Sequence, residues 1–200
     1  MKEEKRRKDA AELVRQVKRR DENAPEAFAR LYETVYKDLY RTALYTLGSI
    51  EDAENVVGDA VLDAYAGIEK LRDEEAFRAW IFAILSNKLK NQLAEYAKTR
   101  EHTAPSPVEE YAETLGTEET ELARLSERDA LRRAFAVLSE EERSIVTLRI
   151  YGELDSGEIA VRLRLNRGTV RSKYSRALAK LREALRGGDE ENRQQAKIDG

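Results

Sequence analysis

The sequence predicts an all-α protein made of two small helical domains joined by a flexible linker. Three observations carry that prediction. Apolar residues recur at three- and four-residue spacing through most of the chain, and no segment alternates with a period of two. Leu, Ala, Glu and Arg dominate, residues that lose little side-chain freedom in a helix. The helical pattern lapses between Thr99 and Thr120, where Pro105, Pro107 and Gly116 stand among Thr and Glu in a stretch too polar to build a core.

The elements follow in order. A first helix spans about Ala10 to Arg20 and is broken by Asp21, Asn23 and Pro25. A second starts near Pro25, a residue suited to a first helical turn. It carries Phe28, Leu31, Tyr32, Val35, Leu39, Ala43 and Leu47 on one side as far as Gly48 and Ser49. The third, Glu51 to Ile68, has the stripe Ala53, Val56, Val57, Ala60, Val61, Ala64 and Tyr65. After the loop Glu69 to Glu75, a fourth helix reaches Ala97 with Phe77, Trp80, Ile81, Ile84, Leu85, Leu89 and Leu93 inward. These four form one bundle, residues 1–98. Residues 99–120 are the acidic linker, and about twenty extended residues reach ~70 Å, so the two domains can sit far apart.

The second domain covers 121–186. Leu122, Leu125, Leu131, Phe135 and Leu138 mark its first helix. Ser139 with Glu142 three residues on is a capping box for a helix to Tyr151, which buries Ile145, Val146, Leu148 and Ile150. A short helix from Ser156 to Leu163, a tight turn and a longer helix from Arg167 to Arg186 follow. Gly187 and Gly188 are expected to stop that helix, leaving 187–200 as a disordered polar tail.

Composition narrows the chemistry. Of 200 residues, none is cysteine and His102 is the only histidine, which removes disulfides, thiolate or multi-histidine metal sites, and Ser-His or Cys-His catalysis. No phosphate-binding glycine loop is present, so neither an enzyme nor a bound cofactor is expected. The charged start, Met1 to Lys8, has no apolar segment behind it, and no run is long enough to span a membrane, so a cytoplasmic protein without membrane insertion is expected.

The net charge of −3 hides an asymmetry. From Asp155 to Arg186 nine cations face three anions, a basic island of +6 in an acidic chain. That island coincides with helix-turn-helix geometry. Ala160 is small enough for two helices to cross closely, Leu165 sits in the turn, Val170 lies one turn into the next helix, and Asn166 is placed to cap it. The second helix offers Arg167, Thr169, Arg171, Ser172, Lys173, Ser175 and Arg176 on its open face. In a major groove, Arg donates two hydrogen bonds to guanine while Ser, Thr and the other cations hold phosphates.

The run Gly168-Thr169-Val170-Arg171-Ser172-Lys173-Tyr174-Ser175-Arg176-Ala177-Leu178-Ala179-Lys180-Leu181-Arg182 resembles region 4.2 of sigma-70 family factors, the extracytoplasmic-function group above all. Leu138 to Arg143 resembles the start of region 4, Glu51 to Ala60 resembles region 2.2, and Ala76 to Phe82 with Asn87 resembles region 2.3. The resemblance implies a subunit that directs promoter-specific initiation by core RNA polymerase. It implies docking on the β′ clamp helices through Asp52, Glu54, Asn55 and Asp59, and on the β flap. It implies −35 duplex recognition by the second helix of the turn motif. It places the non-template strand of the −10 element against Asn87, Lys88, Lys90 and Asn91, beside a specificity loop at Glu69 to Glu75. An anti-sigma factor is a frequent further partner in the group. Trp80 reads as a core anchor, as do Tyr32, Tyr36 and Tyr40.

The chain departs from the group in two places. Gly58-Asp59 stands where Gln-Glu is usual, which predicts altered docking. Ala94 to Glu101 replaces an arginine cluster, which predicts weaker phosphate contact during melting. Two alternatives follow: a stand-alone helix-turn-helix regulator, or a sigma-like interaction protein without promoter melting. Glu109, Glu110, Glu113, Glu118, Glu119 and Glu121 give the linker an acidic character suited to a basic channel or simply to water.

Overall fold

Ala11, Val14 and Val17 recur at three-residue spacing and are buried, which commits the first helix to packing on the second. In a computed structural model that describes residues 2–100 and 130–198, this helix, α1, runs over Lys2–Lys18, eight residues earlier than its apolar stripe suggests. The polar extension is laced by i,i+4 and i,i+3 pairs, Lys8 to Glu4 at 3.0 Å and Arg15 to Glu12 at 2.8 Å.

The expected helix from Pro25 to Leu47 is two helices, α2 (Ala24–Glu33) and α3 (Tyr36–Leu47). The break falls at Thr34-Val35. The Thr34 hydroxyl donates to the Leu31 carbonyl at 2.6 Å, competing with the backbone ladder, and Val35 leaves helical geometry at φ −123°. Gly48 closes α3 in the left-handed conformation at φ +74°, bonding back to the Leu44 carbonyl. Ser49 then caps α4 (Ile50–Gly67) by accepting from the Asp52 N–H. The buried stripe of α4, Ala53, Val56, Val57, Ala60 and Ala64, is small, so α3 and α5 approach it closely. Two 3₁₀ turns, Ile68–Lys70 and Glu74–Ala76, carry the chain into α5 (Phe77–Arg100), whose helix continues past Ala97.

The second body has a helix whose described part is 130–136 (α6), then α7 (Glu140–Ile150), α8 (Ser156–Leu163) and α9 (Arg167–Ile198). The Ser139–Glu142 capping box is present as expected. Ile150 is not buried: it is 46% exposed at the end of α7. Gly187 and Gly188 do not stop α9. Each costs about 1 kcal/mol against alanine in a helix, but Gly187 does not take the left-handed conformation that would cap the end, and the helix runs on to Ile198. His102 and the linker glutamates lie outside the described residues.

The two bodies do not sit apart. Ile145, Leu148, Leu154, Ile159, Ala160 and Val170 of the second join Leu39, Ala43, Leu47, Phe82, Leu85 and Leu89 of the first in one apolar core. Helix α7 is buried on nearly every side through Ser144 to Leu148, because α3 covers one face and α9 the other. The seam contains matched polar groups. The Thr46 and Thr147 hydroxyls, both fully buried, meet at 3.1 Å. Arg78 pairs with Asp38 at 2.8 Å and with Glu153 at 3.5 Å, donates to the Tyr151 carbonyl and lies over the Phe82 ring. Arg162 donates to the Ala79 carbonyl at 3.0 Å, and Tyr45 stacks on Phe135 with centroids 4.7 Å apart.

Candidate nucleic-acid interface

The helix-turn-helix is set by local hydrogen bonds. Asp155 caps α8 by accepting from the Gly157 and Glu158 N–H groups at 2.6 and 2.8 Å, and Glu158 accepts back from the Asp155 N–H at 2.7 Å. Arg164 ends α8 at φ +56°, and the Leu165 N–H returns to the Ala160 carbonyl at 2.9 Å. Asn166 caps α9 as expected, accepting from the Thr169 N–H at 2.8 Å and from its hydroxyl at 2.9 Å. Ile159, Ala160 and Val170 are buried where the two helices cross.

Along α9 the apolar residues Val170, Ala177 and Leu181 are buried, with Tyr174 packed beside them, which fixes the opposite side toward solvent. Arg167, Arg171, Ser172, Ser175 and Arg176 are exposed there. Neither Arg171 nor Arg176 is ion-paired among the described residues; the Arg176 Nε donates to the Ser172 carbonyl at 3.4 Å, which leaves its two terminal nitrogens, and the Arg171 guanidinium, available to a ligand. Thr169 and Lys173 are less free. Thr169 serves the cap, and Lys173 turns toward α7 to pair with Glu141 at 3.0 Å.

Lys180 likewise pairs with Glu142 at 2.8 Å. That ammonium, with the Ser139 N–H, holds the Glu142 carboxyl below the usual range. A carboxyl depressed in the fold stabilises it above the unfolded pKa and loses that contribution as pH falls through the folded value. Glu142→Gln is therefore expected to flatten the acid limb of a melting-temperature profile, leaving the neutral limb almost parallel to wild type.

The four residues expected at the −10 strand separate onto two faces of α5. Asn87, Lys88 and Asn91 line an open cleft of about 560 Å³ between α4 and α5, together with Asp63, Gly67, Lys70 and Trp80. Lys90 lies elsewhere, on an apolar groove of about 230 Å³ between α5 and α7 that includes Leu89, Leu93 and Leu148. Lys88 is held at 2.8 Å by Asp63, with Asp59 at 3.9 Å, and this pairing raises its pKa. Trp80 is half-buried, packed on the core by one face and lining the cleft by another. Tyr32, Tyr36 and Tyr40 form a ring ladder with centroids 5.3 and 6.2 Å apart, and Tyr36 is its exposed member.

Glu54, Asn55 and Asp59 lie exposed along α4 with Glu51, Gly58 and Leu62, at the three- and four-residue spacing of one helical face. Asp52 is not on that free face. Its carboxylate accepts from the Tyr96 hydroxyl and from Gln92 at 3.3 Å, tying α4 to the far end of α5. Burial, and then the Asp52 carboxylate, push the Tyr96 phenol up. Leu62, 69% exposed, is an apolar member of the face that sequence reasoning missed. Its neighbour Val61 lay on the inward stripe, and the signal that could have placed Leu62 outward was its spacing of seven, four and three residues from Asn55, Gly58 and Asp59.

Residues 31–99 match Sigma-70 region 2, and residues 128–181 match Sigma-70, region 4. The chain is 30% identical over 158 residues to the ECF RNA polymerase sigma factor SigL of Mycobacterium tuberculosis, covering 78% of this chain and 86% of that relative. It is 24% identical over 181 residues to the ECF sigma factor SigW of Bacillus subtilis, covering 86% of this chain and 95% of SigW. Its fold is similar to that of the sigma factor RpoE of Bartonella quintana, solved with the anti-sigma factor NepR, at a TM-score of 0.62 and 21% identity over 80% of this chain and 96% of that one. A helix-turn-helix with an exposed arginine row, a second helical body with a polar cleft, and both regions matched in this order place the chain in the extracytoplasmic-function group of the sigma-70 family.

Proposed function

We propose that this sigma factor divides promoter recognition between the two faces described above, with residues 1–98 serving the −10 element and core polymerase and 121–186 the −35 element. The observation that carries the reading is the exposed Arg171 and Arg176 row on α9, whose back face is locked by Val170, Ala177 and Leu181. A rigid helix with its cations unspent at home can give them to guanine edges and phosphates. The cleft between α4 and α5 takes the −10 strand, where Asn87 and Asn91 offer amide donors and acceptors to an unpaired base and Trp80 offers an aromatic edge. Lys90 is not part of this site.

The acidic stripe Glu54, Asn55 and Asp59 with Leu62 is the polymerase-facing surface, complementary to a basic partner. Asp52 serves it indirectly, by holding α4 against Tyr96. Glu54→Lys is expected to weaken core binding roughly tenfold, mainly through slower association, while thermal stability stays unchanged. An anti-sigma protein, of the kind solved with the Bartonella relative, fits the apolar groove between α5 and α7, where Leu89, Leu93, Leu148 and Leu163 lie together. No helix among the described residues is long and apolar enough to cross a membrane, and we place the protein in the cytoplasm beside the polymerase. The chain brings recognition, and the polymerase brings the chemistry.

Transcription of a randomised promoter library by core polymerase with and without the purified chain tests the assignment. Enrichment of two separated motifs that depends on the chain supports it. Enrichment of none, or tight operator binding by the chain alone, favours the stand-alone regulator.

A further inference from the structure

The loop between α4 and α5, residues 68–76, borders the −10 cleft through Lys70, next to Gly67 at the end of α4, yet it has little regular structure of its own. Its two short 3₁₀ turns are joined by residues 71–73, of which only Leu71 is buried. Such a loop reads bases reproducibly only if something outside it fixes its backbone.

Two cations at the end of α1 do so. The Lys18 ammonium donates to the Leu71 carbonyl at 2.6 Å and pairs with Glu74 at 2.5 Å, spanning the loop's midpoint and its second turn. Arg20 holds the first part. Its guanidinium pairs with Glu69 at 3.1 Å and donates to the Tyr65 and Ala66 carbonyls at 3.3 Å each, the last carbonyls of α4. It also lies over the Tyr65 ring at 5.2 Å. Arg20 reaches them because its backbone turns into the left-handed region, φ +55°, with its N–H still bonded to the Val17 carbonyl. The apolar side of α1, through Val14 and Val17, anchors the helix that ends in Lys18 and leads directly into Arg20. Both cations precede residue 31, where the match to region 2 begins, while the residues they hold lie within it.

We propose that Lys18 and Arg20 are positioning residues for −10 recognition: α1 clamps the loop at Glu69, Leu71 and Glu74 and so sets the geometry of the cleft. This rests on the assignment of the cleft to the −10 strand. Neither cation touches DNA. They act through the loop, so their loss blurs base preference instead of removing affinity across all sequences.

The test uses holoenzyme formed with the full chain and a promoter library randomised at the −10 element, transcribed and sequenced. Lys18→Met keeps the stem and removes the donors, and Arg20→Met does the same at the other end. Each is expected to lower the ratio of best to worst base at the most selective −10 position about fivefold, a part of the usual cost of a mismatch. Affinity for core polymerase and for a −35 duplex should stay at wild-type values. Lys18→Arg should restore the ratio, which a purely structural loss of packing would not require. Asn87→Ala, in the cleft itself, is run beside them. If it lowers discrimination while Lys18→Met and Arg20→Met leave it intact, the clamp is refuted and the cleft assignment stands. If all three leave it intact, the cleft assignment falls and the clamp with it.

Discussion

Truncating Phe82 to alanine is expected to lower the unfolding free energy by about 3–5 kcal/mol, the range for a fully buried aromatic, in urea denaturation followed by circular dichroism. Phe82 is wholly buried, lies under the Arg78 guanidinium, and faces Gly152 across the seam between the two bodies. The same seam is reached from the other side by Gly152→Ala. A Cβ there would stand 2.6 Å from the Leu148 carbonyl and 3.1 Å from the Phe82 ring, and neither the backbone nor a packed ring has room to retreat. Both variants should shift one cooperative transition that includes both bodies. Two separate transitions in the wild-type chain would show that the shared core does not exist in solution.

Arg171→Ala and Arg176→Ala are expected to act on function and leave the fold alone. Each guanidinium is exposed and is not ion-paired among the described residues, so its removal should change stability by no more than about 0.5 kcal/mol. A bidentate arginine contact is worth about 1–3 kcal/mol of discrimination, so each variant should weaken holoenzyme binding to its −35 duplex by roughly 5–150-fold. Fluorescence anisotropy at fixed salt reads this directly, and a salt titration sorts the two residues. A base-reading arginine relaxes preference at one position, whereas a phosphate contact lowers affinity for all sequences and flattens the salt slope by about one unit. Lys173→Ala is a useful contrast: its ammonium is engaged with Glu141, so it should weaken −35 binding less than either arginine.

What the sequence disclosed follows from the range of each interaction. The caps of α7 and α9 were readable because Ser139 with Glu142, and Asn166 with the helix after it, act over three residues. The arginine row was readable because Val170, Ala177 and Leu181 dictate which way α9 faces. The break at Thr34-Val35 was not, since the apolar stripe from Phe28 to Leu47 continues across it and only a hydroxyl bond to Leu31 reveals it. Lys90 was placed with Asn87 and Asn91 by proximity in sequence, although it projects from another face of α5. Asp52, Lys88 and Lys18 find their partners forty, twenty-five and fifty-six residues away, so no local pattern could show which charges are spent inside the protein and which are offered outward. The burial of α7 on both sides left a trace, five residues from Ser144 to Leu148 without a charge, which a reading confined to one stripe passes over.

Two promoter sites named for positions −35 and −10 lie about 25 base pairs apart, ~85 Å along the helix axis at about 3.4 Å per pair. A compact chain of 200 residues has a radius of gyration near ~16 Å. Thr46 therefore cannot remain against Thr147 while both sites are held at once. Whatever free energy holds the joined arrangement is subtracted from the enzyme's grip on this subunit, and the apparent affinity is the intrinsic one multiplied by the fraction of molecules already parted.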